Sequence, residues 1–166
     1  MDAIVPSLKR RLAAMMYEAT LLFGVVFIAG WLFSTLLQQR HALYLRYGLL
    51  CWLLLVVGAY FVWFWSHGGQ TLAMKTWRIR LVTIDGQAVK IKRAAGRYLL
   101  SWLWFLPGLV AAWLLHAKAW MLLFIPAINI VVWALTIYLD PQRQFLHDRL
   151  AGTKLLKVPD ILPARK

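Results

Sequence analysis

The chain of 166 residues contains one cysteine, Cys51, and only 6 acidic residues against 19 Lys and Arg. A single cysteine excludes an internal disulfide, a thiolate metal cluster and a dithiol redox pair. The four histidines, His41, His67, His116 and His147, are scattered over different segments. None has the i, i+3 or i, i+4 spacing that sets metal ligands on one helix face. A Gly-rich phosphate loop and a nucleophile elbow are also missing. The expectation is a protein with no catalytic residues, no metal and no cofactor, and hence no enzyme.

What is abundant is apolar surface. Hydrophobic residues make up 62% of the chain, with 10 Trp, well above the roughly 45–50% of soluble domains. Four stretches carry no Asp, Glu, Lys or Arg for about the 17–25 residues that cross a hydrocarbon core as helix: Ala19 to Leu37, Tyr47 to Trp65, Tyr98 to Ala117, and Ala119 to Leu139. The predicted spans are therefore about 13–37, 44–65, 98–116 and 119–139, separated by a loop at 66–97 and followed by a tail at 140–166. The first apolar run exceeds the ~7–15 residues of a secretory signal and lacks a small-x-small cleavage site, so it reads as an uncleaved anchor.

The basic residues define sidedness. All 19 Lys and Arg except Arg40, Arg46 and Lys118 fall in the N-terminus, the 66–97 loop or the tail. Those three segments share one side of a four-span protein, and the positive-inside rule makes that side cytoplasmic, with both termini on it. The net charge of +13 thus answers to topology and anionic lipid headgroups, not to nucleic acid. Trp63, Trp65, Tyr98, Trp102, Trp104 and Tyr138 crowd the span ends, where amphipathic rings favour the headgroup level. Pro107-Gly108 and Pro126 predict kinks, and His116-Ala117-Lys118 leaves room only for a tight antiparallel turn between spans three and four.

The loop and tail have patterns of their own. Apolar Trp77, Ile79 and Leu81 alternate with Arg78 and Arg80, and Val89 and Ile91 with Lys90 and Lys92, on either side of Asp85-Gly86. That alternation predicts a cytoplasmic β-hairpin. In the tail, Asp140 is placed to cap a helix opening at Pro141 and closed by Gly152. Leu146 and Leu150 would share one face of it, against Arg143, His147 and Asp148, as in a short amphipathic helix on the inner membrane surface. "TKLLKV" then offers a third strand. The fold expected is all-α, four transmembrane helices with a two- or three-stranded cytoplasmic element and a short interfacial C-terminal helix.

Three stretches, "RRLAAMMYE", "TLAMKTWRIRLVTIDGQ" and "LDPQRQFLHDRLAGTKLL", together resemble the RDD family of small bacterial membrane proteins. The resemblance runs from Arg10 to Val158, as one membrane domain of the inner membrane. It implies no settled activity; ion- or proton-coupled transport is the usual suggestion. Arg11 matches the family's arginine, Glu18 its first-helix aspartate, and Asp148, with Asp140 close behind, the later one. This chain departs from the pattern with Glu18 in place of Asp, and with Ala73 and Arg78 where Gly is common.

Glu18 is the central candidate. Arg11 lies seven residues earlier, nearly on the same helix face and ~10 Å away, so arginines are its expected neighbours. One reading is an interfacial ion pair that docks the first helix; the other is a carboxylate that binds a proton or cation, since an intramembrane acid is expected to find a partner. Asp148 is expected to pair with Arg11 or with a loop arginine, Arg80 or Arg97, its neighbour Arg149 pointing to another face. Asn129, mid-span, reads as interhelical glue or the lining of a polar path. Arg78, Arg80, Lys90, Lys92 and Arg93 form a basic face for lipid or a partner. Two functions remain open: a small transporter, working as a homo-oligomer because four such spans enclose little pathway alone, or a scaffold subunit that binds lipid or protein through that face.

Overall fold

The computed structural model describes residues 5–38 and 45–158. The proposed start of the second span at 44, Arg40 and the tail beyond 158 lie outside them. Among the described residues four segments are long and apolar enough to cross a membrane: Leu8–Leu36, Arg46–Ser66, Ile91–Leu114 and Met121–Tyr138. The first two are single helices, α1 (Leu8–Leu36) and α2 (Arg46–Ser66). Between the second and third lie the short helix α3 (Leu72–Thr76) and strand β1 (Ile79–Thr83).

The third segment is broken. Helix α4 (Ile91–Ser101) passes through a 3-10 turn at Trp102–Trp104 into α5 (Leu106–Leu114). Pro107 is the cause, because it has no N–H for the carbonyl four residues back, that of Leu103. Asn129 supplies the missing donor from α6 (Met121–Leu135): its Nδ2 donates to the carbonyls of Leu103 at 3.4 Å and Trp104 at 2.6 Å. Non-helical backbone in a span needs such internal partners. α5 and α6 pack as a hairpin, turned through positive φ at His116 and Ala119. Helix α4 reaches seven residues further out than the predicted start at 98, so Lys92, Arg93 and Arg97 stand on a helix and not in a loop.

The sheet corrects the hairpin expectation. β1 pairs antiparallel not with the segment after Asp85-Gly86 but with β2 (Thr153–Lys157) from the tail, in the register Ile79↔Lys157, Leu81↔Leu155 and Thr83↔Thr153. The turn does form, closed by the Gly86 N–H to the Thr83 carbonyl at 2.9 Å. Beyond it, however, four alternating residues are too few to distinguish a strand from a helix start. Ala94 and Arg97 are buried at helical spacing while Ile91 is exposed, so the helical period prevails. The free edge of β2 is met by a side chain: the Leu155 N–H donates to Gln144 Oε1 at 3.0 Å, so a Gln amide occupies the place of a third strand.

The tail helix differs from expectation in two ways. Asp140 does not cap a helix at Pro141; its Oδ2 accepts the Gln144 N–H at 2.9 Å and closes a turn. The helix, α7 (Leu146–Leu150), is only five residues long, because Arg143 adopts positive φ and Gln144 is drawn to β2. Its polarity is also inverted with respect to water. His147 and Asp148 are buried while Leu146 and Leu150 are exposed, so the polar face meets the protein interior.

Apart from Ala29 and Ala112 within the spans, the buried hydrophobic residues described sit at the end of the bundle that carries the sheet. Ala14, Trp65, Met74, Ile79, Leu81, Val89, Ala94 and Leu155 form one cluster; Trp104, Ile137 and Phe145 form another. Away from that end the spans turn large apolar side chains outward, among them Phe23, Phe27, Trp31, Trp113 and Leu123. In a soluble protein such surface would be a liability; in lipid it is the solvated face. N-terminal helix, loop and tail therefore meet at one end of the bundle.

The chain between α2 and α3 is anchored on that sheet by Gly69, whose carbonyl accepts the Leu81 N–H at 2.7 Å. Gly69 has φ +74, and a Cβ there would collide with the Leu81 carbonyl oxygen. Gly69→Ala is expected to destabilise the protein by about 1–3 kcal/mol, the usual cost of a non-Gly residue held in such a conformation. A thermal melt in detergent checks this; an unchanged midpoint would show the anchor to be dispensable.

Candidate functional site

The polar residues collected at the sheet end form two groups on either side of an apolar cavity. The first is built by α1, α4 and the tail. Asp148 is completely buried, 0% exposed, and its Oδ1 accepts from Arg97 Nε at 2.7 Å. The Arg97 guanidinium lies over the Trp65 ring at 4.1 Å, which adds a cation–π contact. Arg11, 1% exposed, donates Nε–H to the Pro6 carbonyl at 3.1 Å and stands 5.3 Å over Phe145. Its Nη1 and Nη2, and the second oxygen of Asp148, have no hydrogen-bond partner among the described residues. Removing either member of a buried, hydrogen-bonded ion pair costs about 3–5 kcal/mol.

His147 completes this group. Two indole N–H groups, from Trp104 at 3.2 Å and Trp133 at 3.4 Å, point at its Nδ1. Nδ1 must then be the acceptor, and the proton sits on Nε2, which faces Asp148 Oδ1 at 3.4 Å. Burial pushes the imidazole down to about 4, with Arg97 and Arg11 adding to the shift and Asp148 opposing it. For Asp148, burial alone would raise the carboxyl, but Arg97, the imidazole and Arg11, with the Arg97 hydrogen bond, hold it below the usual carboxylate range.

The second group is Glu18, 7% exposed. It pairs with no arginine among the described residues, contrary to the neighbours that helix geometry suggested. Tyr60 Oη donates to its Oε1 at 2.5 Å, and the Thr71 hydroxyl donates to its Oε2. Thr71 is also the N-cap of α3, accepting the Met74 N–H at 3.2 Å. One carboxylate thus ties α1 to α2 and to the start of α3 by neutral hydroxyls. Arg11 and Glu18 share a face of α1, but each is satisfied by a different neighbour.

Between the two groups lies a cavity of about 330 Å³, lined by Arg11, Glu18 and Arg97 among mostly apolar residues such as Leu22, Phe61 and Trp102. Met15 and Phe105, which also line it, are exposed, so it opens laterally between α1 and the start of α5.

Other candidate residues stand apart. Arg149 is exposed and lies 3.4 Å from Asp140, away from the buried group. Asn129 does not line the cavity; its amide is engaged on backbone carbonyls. Arg80, Lys90, Lys92 and Arg93 are exposed, Arg80 donating to the Gly68 carbonyl at 3.1 Å. Arg78 has φ +54, which explains why a glycine suits that position. Sequence reasoning missed Tyr60, Thr71 and Trp133 as partners. Trp104 and Trp65 carried only an interfacial signal, although both are buried here. A hydroxyl such as Tyr60 inside an apolar run was the one available hint.

The RDD family model matches residues 5–152 of the chain. No curated protein and no solved structure matches it.

The buried neutral imidazole sets a sign for pH dependence. His147 has a folded value lowered to about 4 from 6.5, so its contribution is complete above the unfolded value and declines as pH falls from about 6.5 toward about 4. The slope can reach about 1.4 kcal/mol per pH unit. Below that range the lowered Asp148 extends the loss. The melting midpoint of purified protein should fall from about pH 7 to about pH 4.5, and His147→Gln should flatten the decline. Parallel curves for the two proteins would remove His147 as the cause.

Proposed function

The chain belongs to the RDD family of membrane proteins, and we propose that within it this protein is a small carrier in which Glu18 accepts the coupling proton or cation. The observation that carries this reading is the setting of Glu18. It is a buried acid with no basic partner among the described residues, on the wall of a laterally open cavity, held only by the hydroxyls of Tyr60 and Thr71. A permanent arginine partner would make it a latch. Hydroxyl partners leave the neutralising charge to be supplied from outside, by a proton or a cation.

The same contacts support a coupling route. Both carboxylate oxygens accept hydroxyl protons, so a proton arriving on Oε2 turns an acceptor into a donor and breaks its present bond with Thr71. Thr71 caps α3, and α3 leads directly into β1. Occupancy of Glu18 is thereby linked to the position of the sheet end. Because the Asn129 amide is spent on backbone, no polar track runs from Glu18 along α6, and the path is assigned to the interface of a homo-oligomer. The protein is read as a non-enzyme of the bacterial inner membrane, with both termini cytoplasmic.

Reconstituted protein with a trapped pH-sensitive dye should report proton movement when a Na⁺ or K⁺ gradient is imposed. Glu18→Gln should abolish the signal, and Tyr60→Phe, which removes one hydrogen bond to a charged group, should weaken it by about tenfold. Absence of signal under every gradient, or full activity of Glu18→Gln, would overturn the reading. For orientation, a reporter fused at Asp85 should read cytoplasmic and one at Lys118 periplasmic; the reverse would reject the charge rule here.

A further inference from the structure

The cavity beside Arg11 has a chemistry that ion coupling at Glu18 does not use. Its buried polar atoms without a partner among the described residues are all donors: Nη1 and Nη2 of Arg11 and Nε1 of Trp65. The one carboxylate on its wall, Glu18, already receives a hydroxyl on each oxygen and offers nothing to Arg11. Asp148, near enough to act on Arg11 electrostatically, is hydrogen-bonded to Arg97 through Oδ1; its Oδ2 makes no hydrogen bond to Arg11, and Asp148 does not line the cavity. A buried guanidinium with two unused nitrogens is an unfinished contact, since unmade hydrogen bonds of buried charged groups are costly. The group that completes it is an anion with at least two acceptor oxygens, held side-on by the guanidinium fork.

The remainder of the cavity specifies what is attached to that anion. From Arg11 it follows α1 past Ala14, Met15, Glu18 and Ala19 to Leu22, a run of about 16 Å at 1.5 Å per residue. Beyond the cationic end the lining is predominantly aromatic and aliphatic, with Phe61, Trp102 and Phe105 facing the same space. The axis of α1 is the direction in which a lipid chain runs. Arg11 lies in the opening turns of a membrane-crossing helix, the depth at which headgroups sit, and the exposed Met15, Ala19 and Phe105 mark a lateral mouth. A volume of about 330 Å³ lies at the small end of ligand cavities. It suits one chain, leaving a second chain in the bilayer.

We propose that this cavity is a binding site for one anionic phospholipid of the leaflet on the sheet side, its phosphate on Arg11 and one acyl chain along α1 toward Leu22. The site differs from the exposed basic face of Arg80, Lys90, Lys92 and Arg93, which meets headgroups only by diffuse attraction. Occupancy would close the contact between the N-terminal helix and Phe145 of the tail, so the lipid becomes part of the packing at the sheet end.

The test uses full-length protein in a mild detergent, titrated with phosphatidylglycerol, phosphatidylcholine and palmitate, with bound species counted by native mass spectrometry. One phosphatidylglycerol per chain is expected to bind saturably and more tightly than phosphatidylcholine. Arg11→Gln should weaken it by about tenfold or more. Ala19→Phe, which fills the cavity while leaving Arg11 in place, should weaken it comparably and covers the case in which the Arg11 variant fails to fold. Lys92→Gln, on the exposed face, should leave it unchanged, and the binding is read with no ion gradient imposed, which separates this site from the transport reading. Binding insensitive to Arg11→Gln and Ala19→Phe, or lost with Lys92→Gln, would overturn the proposal. So would palmitate binding with the same Arg11 dependence while phosphatidylglycerol does not bind.

Discussion

A carboxylate taken fully out of water has to be matched where it lies, and at the sheet end of this protein Asp148 is matched by Arg97 at 2.7 Å. The two residues come from the third span and from the tail, so their pairing fixes where α7 and β2 can go. Once Asp148 is inward, His147 follows it, and the two indoles of Trp104 and Trp133 close over the ring. Phe145, just before, is then set beneath Arg11, which brings the first helix to the same place. Burial of such a pair is weak evidence for stability, because desolvation offsets much of the attraction. What it supplies here is placement: one arrangement of α1, α4 and the tail satisfies the charges.

Two acids at the same end of the bundle are treated in opposite ways. Asp148 has a full countercharge and a hydrogen-bonded network; among the described residues Glu18 has hydroxyl partners and no ion pair. The first belongs to a group whose protonation states are pinned by their neighbours, with the imidazole neutral and the carboxylate charged near neutral pH. The second is held without an ion pair among the described residues. The additional methylene of Glu at a position where the family pattern has Asp lengthens the reach from α1 to Tyr60 on α2 and to the α3 cap.

The four spans were legible because a run of twenty apolar residues has one physical reading. The tail strand was legible from "TKLLKV", but its partner was not. Strand pairing is non-local, and alternation at 89–92 over so few residues carried no information about register. The start of the third span was misjudged because Lys92, Arg93 and Arg97 resemble loop charges until one sees Arg97 turned inward over Trp65. The family pattern singled out Asp148 but not its burial, and the choice of Arg97 over Arg11 or Arg80 required three dimensions. Glu18 was visible as an outlier from the outset. Its partners were not, since Tyr60 and Thr71 lie 42 and 53 residues away along the chain and neither carries a charge to announce itself.

The late position of Asp148 has a consequence for biogenesis. During synthesis Arg11, Glu18 and Arg97 all leave the ribosome well before the tail, and the third span must enter the membrane with Arg97 still lacking its partner. The fourth span then has to be completed before α7 and β2 exist to dock. Closure of the sheet end therefore waits for the segment that follows the fourth span. A nascent chain stalled after Tyr138 would hold all four spans and no sheet, with Arg11 of the first helix and Arg97 of the third span still without the tail that brings Asp148.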